Sequence, residues 1–226
     1  SGPAPLIGLH NFCRELFSKA QGRKLLDIEV HDLCCKIAEI VVVGGVRRSS
    51  EISLSDLDSE SMMSAKIFPF PPHRYMANNS AIYHKKPTAI EFLKEWSSLA
   101  ASGSGERGIF NLESARKSAP TRRNSSKIEG TNPCGEIMLR DREFCNLSEV
   151  VIRSHDDVDT LLEKVETATW IGAIQSTFTY FPYLSEEWKK NCEEERLLGV
   201  SLTGQMDNPE ILTPEVLRAL KKKALK

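Results

Sequence analysis

Two hydrophobic periods take turns along this chain, and that alternation limits its fold more than any other feature. Leu6, Leu9, Phe12, Cys13, Leu16 and Phe17 recur at helical spacing after Pro5, which predicts an amphipathic helix ended by Gly22. A second helix from about Asp27 carries Ile28, Val30, Leu33, Cys34, Ile37, Ile40 and Val41 to a stop at Gly44-Gly45. The period then falls to two: Ile52 and Leu54 alternate with Glu51, Ser53 and Ser55, as in a strand. Residues 57–66 are weakly helical, and the proline-rich PFPPHRYMANNS is irregular until a short strand at Ala81–Tyr83. Thr88 caps a helix through Leu99 that gives out in SGSGERG, GIFNL is a strand, and a short helix covers 112–117. Helices from about Asp157 to Phe178 and from Ser185 to about Arg196 precede the strand LLGVSLTG and a last basic helix from Pro214. Strands separated by helices predict an α/β fold, read here as a single domain over 1–226.

Composition removes several functions. Thirty basic and 31 acidic residues leave a formal charge of −1, so no global field draws the chain to nucleic acid or an anionic membrane. The longest apolar run, Ile37 to Val46, is broken by Glu39 and falls far short of the roughly 20 residues of a membrane helix. The opening SGPAPLIGLH lacks the order of a signal peptide, which predicts a cytoplasmic protein. Cysteines 13, 34, 35, 134, 145 and 192 then read as reduced thiols. With no CxxC pair and no zinc-finger spacing, no metal ligand is assigned.

Chemistry concentrates in GTNPCGEIMLRDREFCNL, residues 130–147, reached through the long polar stretch SAPTRRNSSKIEG. Cys134 stands between Pro133, which fixes φ, and Gly135, which allows close backbone approach, so a tight turn can present the thiol. If the segment is extended, Asn132, Cys134 and Glu136 project to one face: an amide, a sulfur and an acid/base group. Cys145 follows eleven residues after Cys134, and a hairpin over 137–144 would return it to the same place. Spacing alone also allows a plainer reading, with both cysteines small buried hydrophobes and Glu136 a solvated acid.

TNPCGEI followed by FCNL, preceded by VGGVRRSSEISL and ANNSAIY and followed by GVSLTGQMD, resembles the catalytic subunit of ribonucleotide reductases, most closely the adenosylcobalamin-dependent class. The resemblance runs through nearly the whole chain in order. It implies part of a ten-stranded α/β barrel with a central finger loop, incomplete at both ends. It implies reduction of ribonucleoside triphosphates, with adenosylcobalamin as radical source and thioredoxin or a similar dithiol as reductant. By motif match Cys134 becomes the thiyl radical that takes the 3′-hydrogen, Glu136 is the general base for the 3′-hydroxyl and Asn132 holds the substrate hydroxyls. Cys145 is one of the two thiols that become a disulfide, its partner lying upstream of the matched part.

Gly44, Gly45, Arg47 and Arg48 resemble the loop that couples a deoxynucleotide effector to the choice of base; an ordinary helix-to-strand turn with surface arginines is the plainer reading. Cys13, Cys34 and Cys35 fall in the apolar helical pattern and read as core, and Cys192 has no motif around it. As a piece of a longer enzyme the chain is expected to need flanking polypeptide for activity. The alternatives are a diphosphate reductase of another radical class and a non-catalytic nucleotide-binding fragment.

Overall fold

A computed structural model describes residues 2–41 and 50–225. The chain divides into two compact units, Ser1–Met138 and Leu139–Lys226.

The first unit opens with α1, Ala4–Lys19, and α2, Asp27–Val41. Pro5 sits in the first turn of α1, where the missing N–H has no intrahelical partner to lose. Asp27 and Glu29 occupy the first turn of α2, where carboxylates suit the positive end of the helix dipole. The two helices pack on each other, as their apolar stripes predict.

Behind them lies a parallel sheet in the order β1 (Glu51–Ser55), β2 (Ala77–Tyr83), β3 (Gly108–Asn111). The register sets Glu51 opposite Ala77 and Ser80 opposite Gly108. A one-turn helix α3, Glu60–Met63, and a 3-10 turn over Pro72–Met76 connect the first pair. Helix α4, Ala89–Ser102, connects the second, its start fixed by a reciprocal capping box between Thr88 and Glu91.

Strand β2 begins four residues earlier than the sequence predicts. Asn78 and Asn79 are poor strand formers by composition, but a central strand is held by backbone pairing on both edges, and that tertiary term overrides propensity. Arg107, buried at the start of β3, makes a bidentate pair with buried Glu95 of α4 at 2.7 and 2.9 Å. Its other nitrogen donates to Ser55 Oγ at 2.8 Å and to the Asp56 carbonyl at 2.9 Å, tying the end of β1 to α4.

Helix α5, Leu112–Ser118, leads through a polar connection to β4, Ile128–Thr131, a strand concealed at the end of SAPTRRNSSKIEG. Ile128, fully buried, joins Ile82, Phe110 and Leu112 in the core of this unit. Burial of such a side chain stabilises by about 1.5–3 kcal/mol. β4 and β5, Met138–Arg140, form a two-stranded sheet.

The second unit is a β-α-β arrangement. β6, Asn146–Val151, runs parallel to β7, Leu198–Thr203, with Asn146 opposite Leu198. Helices α6, Val158–Gln175, and α7, Glu186–Glu195, make the crossover that a parallel pair requires, and α8, Pro214–Ala224, packs on α6. The core joins Val150 and Ile152 to Leu161, Val165, Ala168 and Leu220. Gly204 ends β7 at φ +68°, where an added Cβ would lie 2.5 Å from the Ile152 carbonyl oxygen.

The mixed α/β class with parallel strands is as the alternating periods predict. Strands β4 and β6 are among the elements that the sequence reading passes over. Among the described residues the strands fall into sheets of three, two and two, with no closed ring.

Candidate functional site

The Asn-Pro-Cys-Gly-Glu segment is the tip of the hairpin between β4 and β5. Gly135 N donates to the Asn132 carbonyl at 2.9 Å, making a four-residue turn with Pro133 and Cys134 at its centre. Proline suits the first central position because its φ is already set. Gly135 then takes φ +86°, a left-handed conformation that side-chain-bearing residues resist.

The chain therefore reverses at 132–137, not at 137–144 as the sequence reading supposes. Residues 138–140 are instead the second strand of the hairpin. The segment carrying Asn132, Cys134 and Glu136 is a turn, so the two-residue periodicity of a strand does not order its side chains.

Three bonds close the neck. Asn132 N donates to the Ile137 carbonyl at 3.2 Å, and Ile137 N returns a bond to Asn132 Oδ1 at 3.0 Å. Thr131 Oγ1 donates to the same Ile137 carbonyl at 3.0 Å. Asn132 is buried, and its side-chain oxygen is occupied by this closure. Its NH2 has no protein partner among the described residues, which leaves the donor end of the amide for another molecule. Cys134 and Glu136 are both exposed at the tip.

Residues outside the motif hold the hairpin from behind. Asn78 Nδ2, on β2, donates to the Pro133 carbonyl at 3.3 Å. Arg116 Nε donates to the Ile128 carbonyl at 2.9 Å, and an Arg123 amine donates to the Met138 carbonyl at 3.0 Å. Helix α5 and the polar stretch before the motif thus supply one cation each, Arg116 to the first hairpin strand and Arg123 to the second. Asn78, Arg116 and Arg123 carry no motif signal of their own; the only hint is that Asn78 lies in ANNSAIY, part of the resemblance.

Cys145 lies in the second unit, half-buried just ahead of β6. Two residues from it in that unit, Glu143 accepts a bond from Arg140 N at 2.8 Å. Phe144 N donates to Cys192 Sγ at 3.3 Å. Burial pushes the Cys192 thiol up, which suits a packing role. Of the three helical cysteines, Cys35 is buried, Cys13 half-buried and Cys34 exposed. Cys34 is thus not core: consecutive residues on a helix lie about 100° apart, so Cys34 and Cys35 cannot share a face. Gly44, Gly45, Arg47 and Arg48 lie outside the described residues.

The tip offers a sulfur, a carboxylate and an amide donor on one tightly closed turn, a set suited to a substrate that carries hydroxyl groups. None of the described helices is long and apolar enough to cross a membrane.

Residues 46–208 match the family described as ribonucleotide reductase, barrel domain. Over 217 residues the chain is 32% identical to the adenosylcobalamin-dependent ribonucleoside-triphosphate reductase of Lacticaseibacillus paracasei. It is 31% identical to the proteins of the same name from Lactobacillus gasseri and Lactobacillus leichmannii. Each alignment covers 92% of this chain and 28% of the relative, so the chain spans a little over a quarter of their length.

Proposed function

The chain belongs to the ribonucleotide reductase barrel family, and from that premise we propose that it forms the thiol-bearing heart of an adenosylcobalamin-dependent ribonucleoside-triphosphate reductase. The observation that carries this reading is the hairpin tip, where exposed Cys134 and Glu136 sit on a turn closed by Asn132 and braced by Asn78.

In this reading adenosylcobalamin serves the complete enzyme. The residues described here do not fit it. One cavity of about 830 Å³ is lined, among the described residues, by Asp27, Glu51, Asp56, Asp58 and Glu129 and by no described lysine or arginine, which disfavours a ligand with a phosphodiester tail there.

The steps start from Cys134 as a sulfur radical. It takes a hydrogen atom from the ribose C3′, becoming a thiol and leaving the radical on carbon. Glu136 accepts the 3′-hydroxyl proton, the role of a general base at hydrogen-bond reach. The free NH2 of Asn132 donates to a ribose hydroxyl and fixes the ring over the sulfur. The 2′-hydroxyl leaves as water. Cys145 and a second thiol together supply two electrons and two protons and end as a disulfide, so one ribonucleotide and two thiols give one deoxyribonucleotide, one disulfide and one water. Cys134 regains its radical state when the hydrogen atom returns to C3′. A thioredoxin-type dithiol then reduces the disulfide.

The partners in this reading are a ribonucleoside triphosphate, a deoxynucleotide effector near Gly44, Gly45, Arg47 and Arg48, and flanking polypeptide of the same enzyme. The test is nucleotide reduction by the complete enzyme, assayed with CTP and CDP, with and without adenosylcobalamin. Turnover of CTP that requires the cofactor supports the reading; turnover without it, or of CDP alone, points to another radical class.

A further inference from the structure

A second cluster of reactive side chains, separate from the Cys134 turn, lies inside the first unit. His31 and Cys35 are four residues apart on α2, so both project from one face of the helix. Glu51, the first residue of β1, meets them, and one donor atom from each of the three lies within 4.8 Å of the others. His31 and Cys35 are buried, and Glu51 is half-buried.

We propose that His31, Cys35 and Glu51 form a binding site for a single thiolate-accepting divalent cation of the zinc type. Zinc takes sulfur at about 2.3 Å and imidazole nitrogen at about 2.0–2.1 Å, so a tetrahedral ion sets these two donors about 3.6 Å apart. The Cys35 sulfur lies 3.7 Å from His31 Nε2, close to that edge length. A Glu51 carboxylate oxygen, the third donor, lies within 4.8 Å of both.

Access and charge fit as well. His31, Cys34 and Glu51 line the carboxylate-rich cavity described above, which provides an entry path, a local excess of negative charge and room for water at the fourth position. A sulfur, a nitrogen and a carboxylate oxygen favour zinc over magnesium or calcium, which prefer oxygen alone. Burial disfavours the charged form of all three side chains. A divalent ion supplies the positive charge that lets the thiolate and carboxylate exist there, the thiol proton passing to solvent.

The ligands also straddle a particular stretch of sequence. Two come from α2, before residues 42–49, and one from Glu51, after them. No zinc-finger spacing announces this site, because its third ligand is sixteen residues beyond Cys35 on another element. The proposal stands apart from the reductase reading and survives its failure.

Cobalt(II) is the probe, because a thiolate ligand gives it an intense near-ultraviolet charge-transfer band and a tetrahedral site gives strong visible bands. The reduced, chelator-treated chain is titrated with cobalt(II), then with zinc(II). The expected result is saturation at one equivalent, displacement by zinc, and loss of the charge-transfer band in Cys35→Ser with the band kept in a Cys134→Ser, Cys145→Ser double variant. Glu51→Gln, whose half-buried position spares the core, weakens binding at least about tenfold, the scale on which even groups one step behind a ligand act. If Cys35→Ser does not fold, Glu51→Gln decides. Absence of saturable binding, a band kept in folded Cys35→Ser, loss of the band in the double variant, or unchanged affinity in Glu51→Gln overturns the proposal.

Discussion

Asn78 Nδ2 donates to the Pro133 carbonyl at 3.3 Å, so the central strand of the parallel sheet grips the peptide that carries the Cys134 nitrogen. The peptide that carries the thiol is thus braced by a residue fifty-five places before Pro133, on an element that does not include the motif.

Asn78→Ala removes this brace while leaving the closure made by Asn132 and Thr131 in place. A neutral hydrogen bond contributes about 0.5–1.5 kcal/mol. Hydrogen exchange of the Gly135 and Ile137 amides is therefore expected to quicken by about two- to tenfold, with the amides of β6 unchanged.

Two glycines in the left-handed region respond differently to alanine. At Gly135 an added Cβ meets nothing within 4 Å, so Gly135→Ala bears the backbone cost alone, about 1–2 kcal/mol. At Gly204 the same cost is joined by a 2.5 Å approach to the Ile152 carbonyl oxygen, and Gly204→Ala loses about 1–3 kcal/mol more. Urea denaturation of the two variants measures the order, and the two losses become equal if the contact with Ile152 is easily relieved.

The Arg107–Glu95 pair is buried on both sides. Glu95→Gln leaves a buried guanidinium without its counter-charge and is expected to cost about 3–5 kcal/mol. Replacing both residues together, as Glu95→Gln with Arg107→Met, costs less than the sum of the single changes, and a double-mutant cycle in urea measures the difference.

Asp32 gives an acid-dependent term. Burial alone raises its pKa, but the hydrogen bonds from Arg74 and the His73 ring 3.0 Å away bring the carboxyl well below the usual carboxylate range. Its folded pKa is depressed, so its contribution is full above the unfolded value of about 3.9 and fades as pH falls from there toward the folded value. Asp32→Asn is expected to lower stability at pH 7 and to flatten the stability curve below about pH 4, read from urea midpoints across pH.

Elements governed by their own residues were legible in the sequence. α1, α2, α4 and α6 announce themselves through apolar period and caps such as Thr88 and Asp157, whose side chains accept from Glu91 N and Thr160 N in the structure. What was not legible depends on partners distant in sequence. β2 starts at Ala77 because β1 and β3 flank it, and β6 exists because β7 pairs with it. The turn at Cys134 was readable from Pro133 and Gly135, while the hairpin's extent depends on Arg116 and Arg123 meeting strand carbonyls. The His31–Cys35 pair was visible as a helical spacing, but its third member comes from a different element and no local pattern points to it.

The central claim is that Cys134 carries the radical chemistry, and the most direct measurement is nucleotide reduction by the complete enzyme as wild type and as Cys134→Ser, with adenosylcobalamin, CTP and a dithiol. The account predicts that Cys134→Ser loses at least about a thousandfold in turnover, as removal of an essential reacting group does, while Cys192→Ser, placed in packing, keeps its activity. Turnover by Cys134→Ser near the wild-type rate would contradict it.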